Sequence, residues 1–245
     1  MTTARAAGPP SLPGHAHNDY LHPRPLLGAL ELGYCSVEVD VHVVDGRLLV
    51  AHDADEIVPG RTLEALYLDP LAARLAAGEP ACRDGQLLLL IDFKTAAGPT
   101  LDALLTTLAA YDLPLVSLAG DSPGLTLVLS GNRPIERVAA SRAGRLQIDG
   151  RLSDLGSDPA PDFVPLVSDS WGRHFGWDGR GEMPAEQRRR LRSAVALAHR
   201  QGRRVRFWNV PHHAEVWCEL LAAGVDYVSV DDLEAFAAFD RSCLY

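Results

Sequence analysis

The sequence lacks any long hydrophobic run. No segment approaches about 18 uninterrupted apolar residues, the length that indicates a membrane-spanning helix. The opening stretch, MTTARAAGPPSLPG, has one arginine and none of the apolar core of a secretory signal. We therefore expect no transmembrane segment, a flexible N-terminus over residues 1–10, and a cytoplasmic protein unless a leader has been removed.

Cysteine is scarce as well. The chain has four, Cys35, Cys82, Cys218 and Cys243, with no C-x-x-C pair and no spacing typical of a zinc site. In a chain of 245 residues they do not define a disulfide framework. An unpaired cysteine packs as a small hydrophobic residue, and we predict that all four are reduced.

An excess of positive charge is also missing. The formal net charge is -9 at pH 7, whereas binding nucleic acid by counterion release requires clustered lysine and arginine. We therefore expect no nucleic-acid partner. The 47% hydrophobic and 22% charged composition is ordinary for a globular protein. Without a repeat or a linker, the chain is predicted to form one domain over residues 1–245, and its oligomeric state is not indicated.

Helix-period segments end repeatedly at a glycine before a short apolar run, as in PLLGALELG before CSVEVDVHV. Gly33, Gly202 and Gly224 suit the left-handed position that terminates a helix. Such alternation is typical of an α/β fold with a parallel sheet, and the length suits one (β/α)₈ TIM barrel. VVDGRLLV adds a hairpin-like excursion, and residues 150–161 show no clear helix. The predicted strands are 11–17, 36–42, 87–93, 126–130, 145–149, 162–168, 204–208 and 226–230, and the predicted helices are 24–32, 62–77, 100–110, 134–141, 184–201, 212–223 and 232–239.

Polar residues interrupt the apolar strands near their ends. In SVEVDVHV, Glu38, Asp40 and His42 alternate with valines, so the two-residue period of a strand places all three on one face. In LLLLIDFKT, Asp92 and Lys94 share a face in the same way. Carboxylates are costly to bury without a partner or a metal. We therefore interpret Glu38, Asp40 and Asp92 as a candidate metal site.

The chemistry of this set is that of hard oxygen ligands, which suit Mg²⁺ or Ca²⁺ better than Zn²⁺. HAHN contributes His15 and His17 nearby, and LLVAHD places His52 after another apolar run. A divalent ion, two groups that titrate near neutrality and the cation of Lys94 are the components needed to cleave a phosphodiester. The sequence thus predicts a metal-dependent phosphodiesterase with a small-molecule or lipid substrate.

Structural alternatives remain open for the same charges. Glu38 and Asp40 would also suit an ion pair with buried arginines, and Asp92 with Lys94 would suit an internal salt bridge. For His42, which lies further along its strand, a structural role is the favoured interpretation.

The motifs GHAHND, SVEVD, VAHD and IDFKT, in this order, resemble a superfamily that shares a (β/α)₈ barrel. It comprises the glycerophosphodiester phosphodiesterases, the phosphatidylinositol-specific phospholipases C and the sphingomyelinases D. HNDYLHPRPLLGALELG, SGNRP, RVRFWNVP and GVDYVSVDDL further resemble its bacterial and fungal branch with an H-x-H-N-D-Y opening, which includes a fungal protein named for altered mitochondrial inheritance. The resemblance covers nearly the whole chain and implies a phosphoric diester hydrolase that uses Mg²⁺ or Ca²⁺.

The resemblance also implies roles for individual residues. It implies His15 and His52 as the acid/base pair, Glu38, Asp40 and Asp92 as metal ligands, and Lys94 and Trp208 as substrate-pocket residues. Asn18 matches the asparagine of the sphingomyelinase D pattern G-H-x-x-N, which favours His15 as the chemical histidine and leaves His17 to orient it or contact substrate. Glycerophosphodiesterases usually open with H-R-G and carry a later P-E-N, so the motifs here do not specify a glycerol substrate.

Two other function classes fit parts of the sequence. An amidohydrolase or a PHP-like metal hydrolase would use the H-x-H pair as metal ligands, with Asp231 after the last strand. Such enzymes need further histidines on later strands, and GRLQID, DFVPLVS and DYVSV contain none. A non-enzymatic binding barrel is the third hypothesis, which the intact charged set disfavours.

Loops after the later strands are predicted to select the substrate, because the active sites of barrels lie at that end. In SDSWGRHFGWDGRGEMP, residues 168–184, the aromatic side chains either grip a head group or pack as an Ω-loop over the mouth. Arg133 and Arg151 each follow a strand, and we predict them as second phosphate contacts, with a surface role as the alternative.

Overall fold

The fold is a closed barrel of parallel strands. The computed structural model describes residues 11–120, 122–141, 146–156, 160–239 and 241–244. The predicted flexible segment 1–10 lies outside the described residues, as does residue 145 of the predicted strand 145–149.

Eight strands form the ring, and a ninth pairs with one of them outside the ring. The strands are β1 (Gly14–Ala16), β2 (Ser36–Val44), β3 (Arg47–Val50), β4 (Gln86–Phe93), β5 (Gly124–Gly131), β6 (Leu146–Gly150), β7 (Leu166–Ser170), β8 (Arg204–Trp208) and β9 (Tyr227–Val230). Their order is β1-β9-β8-β7-β6-β5-β4-β2, and pairing of β1 with β2 closes the ring. β3 pairs antiparallel with β2, as the hairpin pattern indicates. The predicted (β/α)₈ barrel is confirmed.

Helices connect most of the strands. They are α1 (Leu27–Leu32), α2 (Asp69–Ala76), α3 (Ala97–Leu108), α4 (Ile135–Ser141), α5 (Trp171–His174), α6 (Ala185–Arg200), α7 (Ala214–Ala222) and α8 (Leu233–Ala238). Gly33 terminates α1 with a φ of 100°, the left-handed conformation predicted from its position. Among the described residues, no helix is long and apolar enough to cross a membrane.

The strand predicted over residues 162–168 begins later than expected. The sequence pattern predicts a strand over 162–168, whereas β7 starts at Leu166. Pro165 immediately precedes it, and proline has no backbone N–H to donate to the neighbouring strand. In the part of the β6–β7 connection that is described, the helical element is a single 3₁₀ turn, Leu152–Asp154, which agrees with the unclear pattern of residues 150–161.

The core has two layers because strand residues alternate between the faces of the barrel. Val37, Val39 and Val41 of β2 are fully buried in the large apolar cluster that the helices cover. Leu88 and Leu90 of β4 belong to a smaller cluster with residues of neighbouring strands. Glu38 and Asp40 lie on the face of β2 opposite its valines, and the barrel therefore buries carboxylates at the level where the apolar interior ends.

The prediction that all cysteines are reduced is wrong. Cys35 forms a disulfide with Cys82, and Cys218 forms one with Cys243. The paired residues are 47 and 25 positions apart in sequence, so only the folded chain brings them together. The first cross-link joins the start of β2 to the segment before β4, and the second joins α7 to the C-terminal segment.

Reducing these cross-links is expected to destabilise the protein. The loop-closure estimate is roughly 4 kcal/mol for Cys35–Cys82 and about 3–4 kcal/mol for Cys218–Cys243. Urea denaturation with and without reductant measures this, and the double variants Cys35→Ala/Cys82→Ala and Cys218→Ala/Cys243→Ala separate the two contributions. Equal denaturation midpoints for oxidised and reduced protein would contradict a stabilising role.

Candidate functional site

Three carboxylates meet at the carboxyl ends of β2 and β4. Glu38 and Asp40 project from β2, and the pairing of the two strands sets Asp40 beside Asp92. One oxygen from each carboxylate lies within 4.8 Å of those of the other two. Glu38 and Asp40 are buried, and Asp92 is partly exposed at the mouth. The side chains that the sequence analysis grouped are therefore assembled in space.

Glu38 is paired with a buried positive charge. The buried guanidinium of Arg206, on β8, donates to its Oε2 through Nη2, and His15 Nε2 lies 3.2 Å from the same oxygen. Burial alone would raise the pKa of Glu38, but the charge of Arg206 and the hydrogen bond from His15 outweigh it and hold this pKa well below its usual range. Glu38 is therefore a fixed negative charge.

Asp40 and Asp92 share one cation. Lys94, the only lysine in the chain, places Nζ 3.0 Å from Asp40 Oδ2 and 3.4 Å from Asp92 Oδ1. The hydroxyl of Tyr20 also donates to Asp40 Oδ2, at 2.8 Å. Burial and the nearby charge of Glu38 raise the pKa of Asp40 to about 6, and burial raises that of Asp92. The two carboxylates need more positive charge than Lys94 supplies.

The residues present fit a hard divalent cation. Within the described part of the chain, Asp40 Oδ1 is buried and has no hydrogen-bond partner, although buried carboxylate oxygens are normally satisfied. The donors are all carboxylate oxygens, the ligand type that Mg²⁺ and Ca²⁺ prefer. An ion held by Glu38, Asp40 and Asp92 would satisfy the free oxygen and offset the mutual repulsion of the three charges.

His15 lies beneath this cluster, out of contact with solvent. Its Nδ1 is 2.6 Å from the hydroxyl of Ser36, and its Nε2 faces Glu38. Because Glu38 only accepts, Nε2 carries the proton and Nδ1 accepts from Ser36. Burial and the charge of Arg206 lower the pKa of His15 to about 3. Both ring nitrogens are thus engaged, and His15 supports Glu38 as a neutral imidazole.

His17 lies at the mouth, two residues further along, and its side chain is 25% exposed. Its Nδ1 is 2.7 Å from Asp231 Oδ1, and its Nε2 is 3.9 Å from Glu38 Oε2. Burial tends to lower the pKa of His17, but the hydrogen bond to Asp231 and the charge of Glu38 produce a net increase. With Asp231 accepting from Nδ1, neutral His17 presents the Nε2 lone pair towards the carboxylate cluster.

His52 follows β3 on a more exposed loop, with half of its side chain accessible. Its Nδ1 is 3.1 Å from Asp53 Oδ2. His42 Nε2 donates to the backbone carbonyl of His52 at 3.2 Å. His42 therefore anchors the segment that carries His52, in keeping with the structural role favoured from its position.

The other predicted residues surround the mouth at different depths. Arg151, after β6, donates to Asp149 Oδ2 at 2.8 Å, and Arg133, after β5, donates to the backbone carbonyl of Asp149 at 2.5 Å. Both guanidinium groups therefore lie over the end of β6. Trp208 is the last residue of β8 and is partly buried. Asn18 follows β1 in a left-handed conformation, with a φ of 47°.

The aromatic residues of the 168–184 loop pack inwards. Trp171, Phe175 and Trp177 are buried. The rings of Trp171 and Phe175 have centroids 4.3 Å apart, and both meet Phe207 of β8 edge-on. This matches the packed-loop alternative, whereas these three rings are not available to grip a head group. Arg173 is exposed on the same loop.

The sequence did not lead us to Tyr20 or Arg206, and it suggested Asp231 only for the amidohydrolase-like alternative, whereas Asp231 accepts from His17. Arg206 had a usable signal, since it lies in the centre of the short strand RVRFW on the same face as Arg204. A charged residue in the middle of a buried strand needs a partner of opposite charge. Tyr20 follows the end of β1 without any such signal.

Among the described residues, the side chains grouped as a possible metal site do not include the H-x-H pair. His15 and His17 contact Ser36 and Asp231 through Nδ1, and the described residues contain no cluster of metal-binding type that includes a histidine. The geometry therefore gives no support to the amidohydrolase-like alternative.

Comparison with protein families gives one matching family model. The model described as the AIM6-like phosphodiesterase domain matches residues 8–147. The altered inheritance of mitochondria protein 6 of Eremothecium gossypii is 31% identical, and the alignment spans 92% of this chain and 68% of that protein. The homologue from Arthroderma benhamiae is 27% identical over 91% of this chain and 82% of its own length.

Solved structures share the fold at low sequence identity. A calcium-dependent phosphoinositol-specific phospholipase C from a Pseudomonas species aligns with a TM-score of 0.61 and 13% identity, covering 98% of this chain and 96% of its own. The glycerophosphodiester phosphodiesterase of Agrobacterium tumefaciens aligns with a TM-score of 0.51 and 16% identity, covering 91% and 97%. The barrel is thus of a kind found in phosphodiesterases.

Proposed function

Because this chain belongs to the AIM6-like phosphodiesterase family, we propose that it cleaves a small-molecule or lipid phosphodiester with the help of Mg²⁺ or Ca²⁺. The observation that carries the proposal is the acidic cluster at the barrel mouth. One of its buried oxygens, Asp40 Oδ1, lacks a partner among the described residues, and Nε2 of the partly exposed His17 lies 3.9 Å from Glu38 Oε2.

Glu38, Asp40 and Asp92 hold the ion. When bound, it supplies positive charge to the phosphate oxygens and lowers the repulsion among its ligands. Lys94, which reaches the same carboxylates, is placed to bind a second phosphate oxygen, as a cation that stabilises charge on the transferred group. Arg133 and Arg151 lie one and two strands further around the mouth and bind the more distant polar part of the substrate.

His17 takes the proton from the attacking hydroxyl. The geometry favours it over His15, which the resemblance suggested, because His17 reaches solvent and presents Nε2 to the cluster. Asp231 holds the opposite nitrogen and fixes the tautomer, which is how a carboxylate prepares a histidine for proton transfer. His52 protonates the leaving oxygen, and His15 keeps Glu38 in place.

The cysteine pairing bears on where this chemistry takes place. All four cysteines are paired, and disulfides persist in oxidising compartments but are rare in the cytosol. We therefore favour an oxidising compartment over the cytoplasm expected from the sequence. Mass spectrometry of alkylated protein taken directly from its source organism tests this, since four free thiols there would contradict it.

An activity screen tests the proposed reaction. Purified oxidised protein with Mg²⁺ or Ca²⁺ is incubated with glycerophosphodiesters, phosphatidylinositol, lysophospholipids and sphingomyelin, and the products are followed by phosphorus NMR. We expect metal-dependent cleavage of at least one class. A cyclic phosphate product would identify an internal hydroxyl as the attacking group, whereas a phosphomonoester formed without a cyclic intermediate would identify water. No cleavage of any class with either ion would reject the proposal.

Lys94→Met tests the role assigned to the lysine. Loss of a cation that stabilises the transferring phosphoryl group is expected to lower kcat by about 10²–10³-fold. Binding of Mg²⁺ or Ca²⁺, measured by calorimetry without substrate, is expected to stay as tight or become tighter, because Lys94 competes for Asp40. Arg137→Met is the matched control, since Arg137 pairs with Asp102 in an exposed salt bridge between helices.

The opposite pattern would assign Lys94 to the fold alone. In that case Lys94→Met would lower the free energy of unfolding while the folded fraction keeps its turnover. Because Lys94 is the only lysine, carbon-13 methylation of the protein adds one lysine signal to the NMR spectrum beside that of the N-terminus. This signal is expected to shift when inorganic phosphate is added with the metal.

A further inference from the structure

A second histidine lies within ion-pair distance of the carboxylate that orients His17. Asp231 Oδ1 lies 2.7 Å from His17 Nδ1, and its other oxygen, Oδ2, lies 3.1 Å from His212 Nε2. The three side chains therefore form a continuous chain that runs from the mouth of the barrel outwards. The side chain of His212 is 40% exposed and that of Asp231 is 59% exposed.

Because Asp231 is mostly exposed, a second contact restricts its orientation more than a single hydrogen bond does. A carboxylate that is mostly in solvent gains little from one hydrogen bond, because water competes for it and its rotamers remain free. Asp231 and His212 also border a groove of about 750 Å³ that is open to solvent. Two imidazoles on different oxygens fix the plane of the carboxylate, whereas His17 alone leaves it free to turn.

The backbone holds His212 where it meets Asp231. The residue lies on the short connection between β8 and α7. This connection begins with Asn209 in a left-handed conformation, at a φ of 54°, and is anchored by buried Val210. The N–H of His213 donates to the carbonyl of Pro211 and closes the turn. The fold therefore sets the backbone position from which the imidazole of His212 projects.

We propose that His212 is a positioning residue that holds Asp231 in the orientation in which it accepts from His17. The inference rests on the proposed function, in which His17 Nε2 receives a proton. His212 touches no reacting atom in this scheme and acts through Asp231. Its loss therefore affects proton transfer and leaves substrate and metal binding unchanged.

Three single variants test the role in turnover. Partners in such outer positions typically contribute about 10- to 100-fold to activity, and His212→Ala is expected to lower kcat near the lower end of that range with KM and metal affinity unchanged. His212→Gln places an amide N–H near the position of Nε2 and should recover most of the loss. His213→Ala, the neighbouring exposed histidine, is the control and should behave as the parent protein.

A double-variant cycle separates positioning from a structural effect. If His212 acts only through Asp231, adding His212→Ala to Asp231→Ala causes no further loss of kcat. In the His52→Ala background the loss should persist in full. A further loss in the Asp231→Ala background, or a rise in KM that accounts for the effect, would overturn the proposal.

An NMR experiment tests the positioning role without measuring turnover. Nitrogen-15 NMR of the histidine rings in the metal-free protein reports which nitrogen of His17 carries the proton. We expect the Nδ1–H tautomer to dominate in the parent protein, and to give way to a mixture in His212→Ala while His212→Gln retains it. An unchanged tautomer in His212→Ala would overturn the positioning role even if phosphodiester cleavage is observed. The expected change without any cleavage would instead reject the proposed function alone.

Discussion

Removal of the divalent ion with excess chelator is expected to lower phosphodiester turnover by about 10³-fold or more. A bound metal that stabilises charge on a phosphoryl oxygen contributes several kcal/mol, and each 1.36 kcal/mol is a factor of about ten in rate. The ion would also offset the cost of burying Asp40, whose Oδ1 has no partner within the described residues. Activity should return with Mg²⁺ or Ca²⁺ and not with a monovalent salt.

Asp92→Asn is the most informative ligand variant. Asp92 is the most exposed of the three carboxylates, so the change removes a ligand charge with little effect on folding. Glu38→Gln is less clean, because it leaves the buried Arg206 without its carboxylate, and breaking a buried ion pair typically costs about 3–5 kcal/mol. Asp102→Asn, at an exposed helix position, serves as the control.

Calorimetry without substrate makes the test independent of the reaction. The parent protein should bind one equivalent of Mg²⁺ or Ca²⁺, and Asp92→Asn should bind it at least about tenfold more weakly. Full turnover by protein shown by mass spectrometry to be free of metal would refute the metal assignment. Binding of the ion with no effect on turnover would leave a structural cation in place of a cofactor.

The sequence was sufficient to predict the barrel and to group the carboxylates. The two-residue period of a strand places Glu38 and Asp40 on one face, and the parallel order of β2 and β4 aligns Asp40 with Asp92. Both inferences depend only on local patterns and on the rule that parallel strands end at the same edge. The same reasoning places His15 and His17 on one face, since they are two residues apart.

The sequence does not predict how deeply each side chain lies within the barrel. His15 and His17 differ because Ser36 and Glu38 enclose one, while the other meets Asp231 at the rim. The partner of Glu38, Arg206, is 168 positions away, and Asp231 is 214 positions from His17. Contacts of this kind form only when the barrel closes, and the position of Arg206 within a buried strand indicates that it needs a partner without indicating that the partner is Glu38.

The closed barrel also explains why the charges are divided into two groups. Glu38 is fixed by Arg206 and His15, which are inaccessible, so its charge does not depend on what binds at the mouth. Asp40 and Asp92 are balanced by Lys94, which is partly exposed. In the proposed scheme Glu38, Asp40 and Asp92 would hold the ion, and Lys94 would then be placed to bind a phosphate oxygen of the substrate.

His17→Ala is expected to lower kcat by about 10²–10⁴-fold, the usual contribution of a general acid or base. The physical reason is that His17 is the histidine with an open ring nitrogen beside the carboxylate cluster. Metal affinity should change little, because no ligand is removed. His199→Ala is the matched control. His199 lies on the outer helix α6 and pairs with Asp226, which precedes β9.

His15→Ala should affect a different quantity. It removes a buried partner from Ser36 and Glu38, and leaving a buried polar group unsatisfied costs about 1–3 kcal/mol. We therefore expect a lower free energy of unfolding in urea and weaker metal binding, with a smaller loss of kcat than in His17→Ala once the metal is saturating. His52→Ala should resemble His17→Ala in kcat and the parent protein in stability. Near-normal turnover by His17→Ala, together with a His15→Ala protein that is folded and metal-loaded but inactive, would assign the chemical role to His15. Normal turnover by all three variants would exclude acid/base catalysis by histidine from the proposed function.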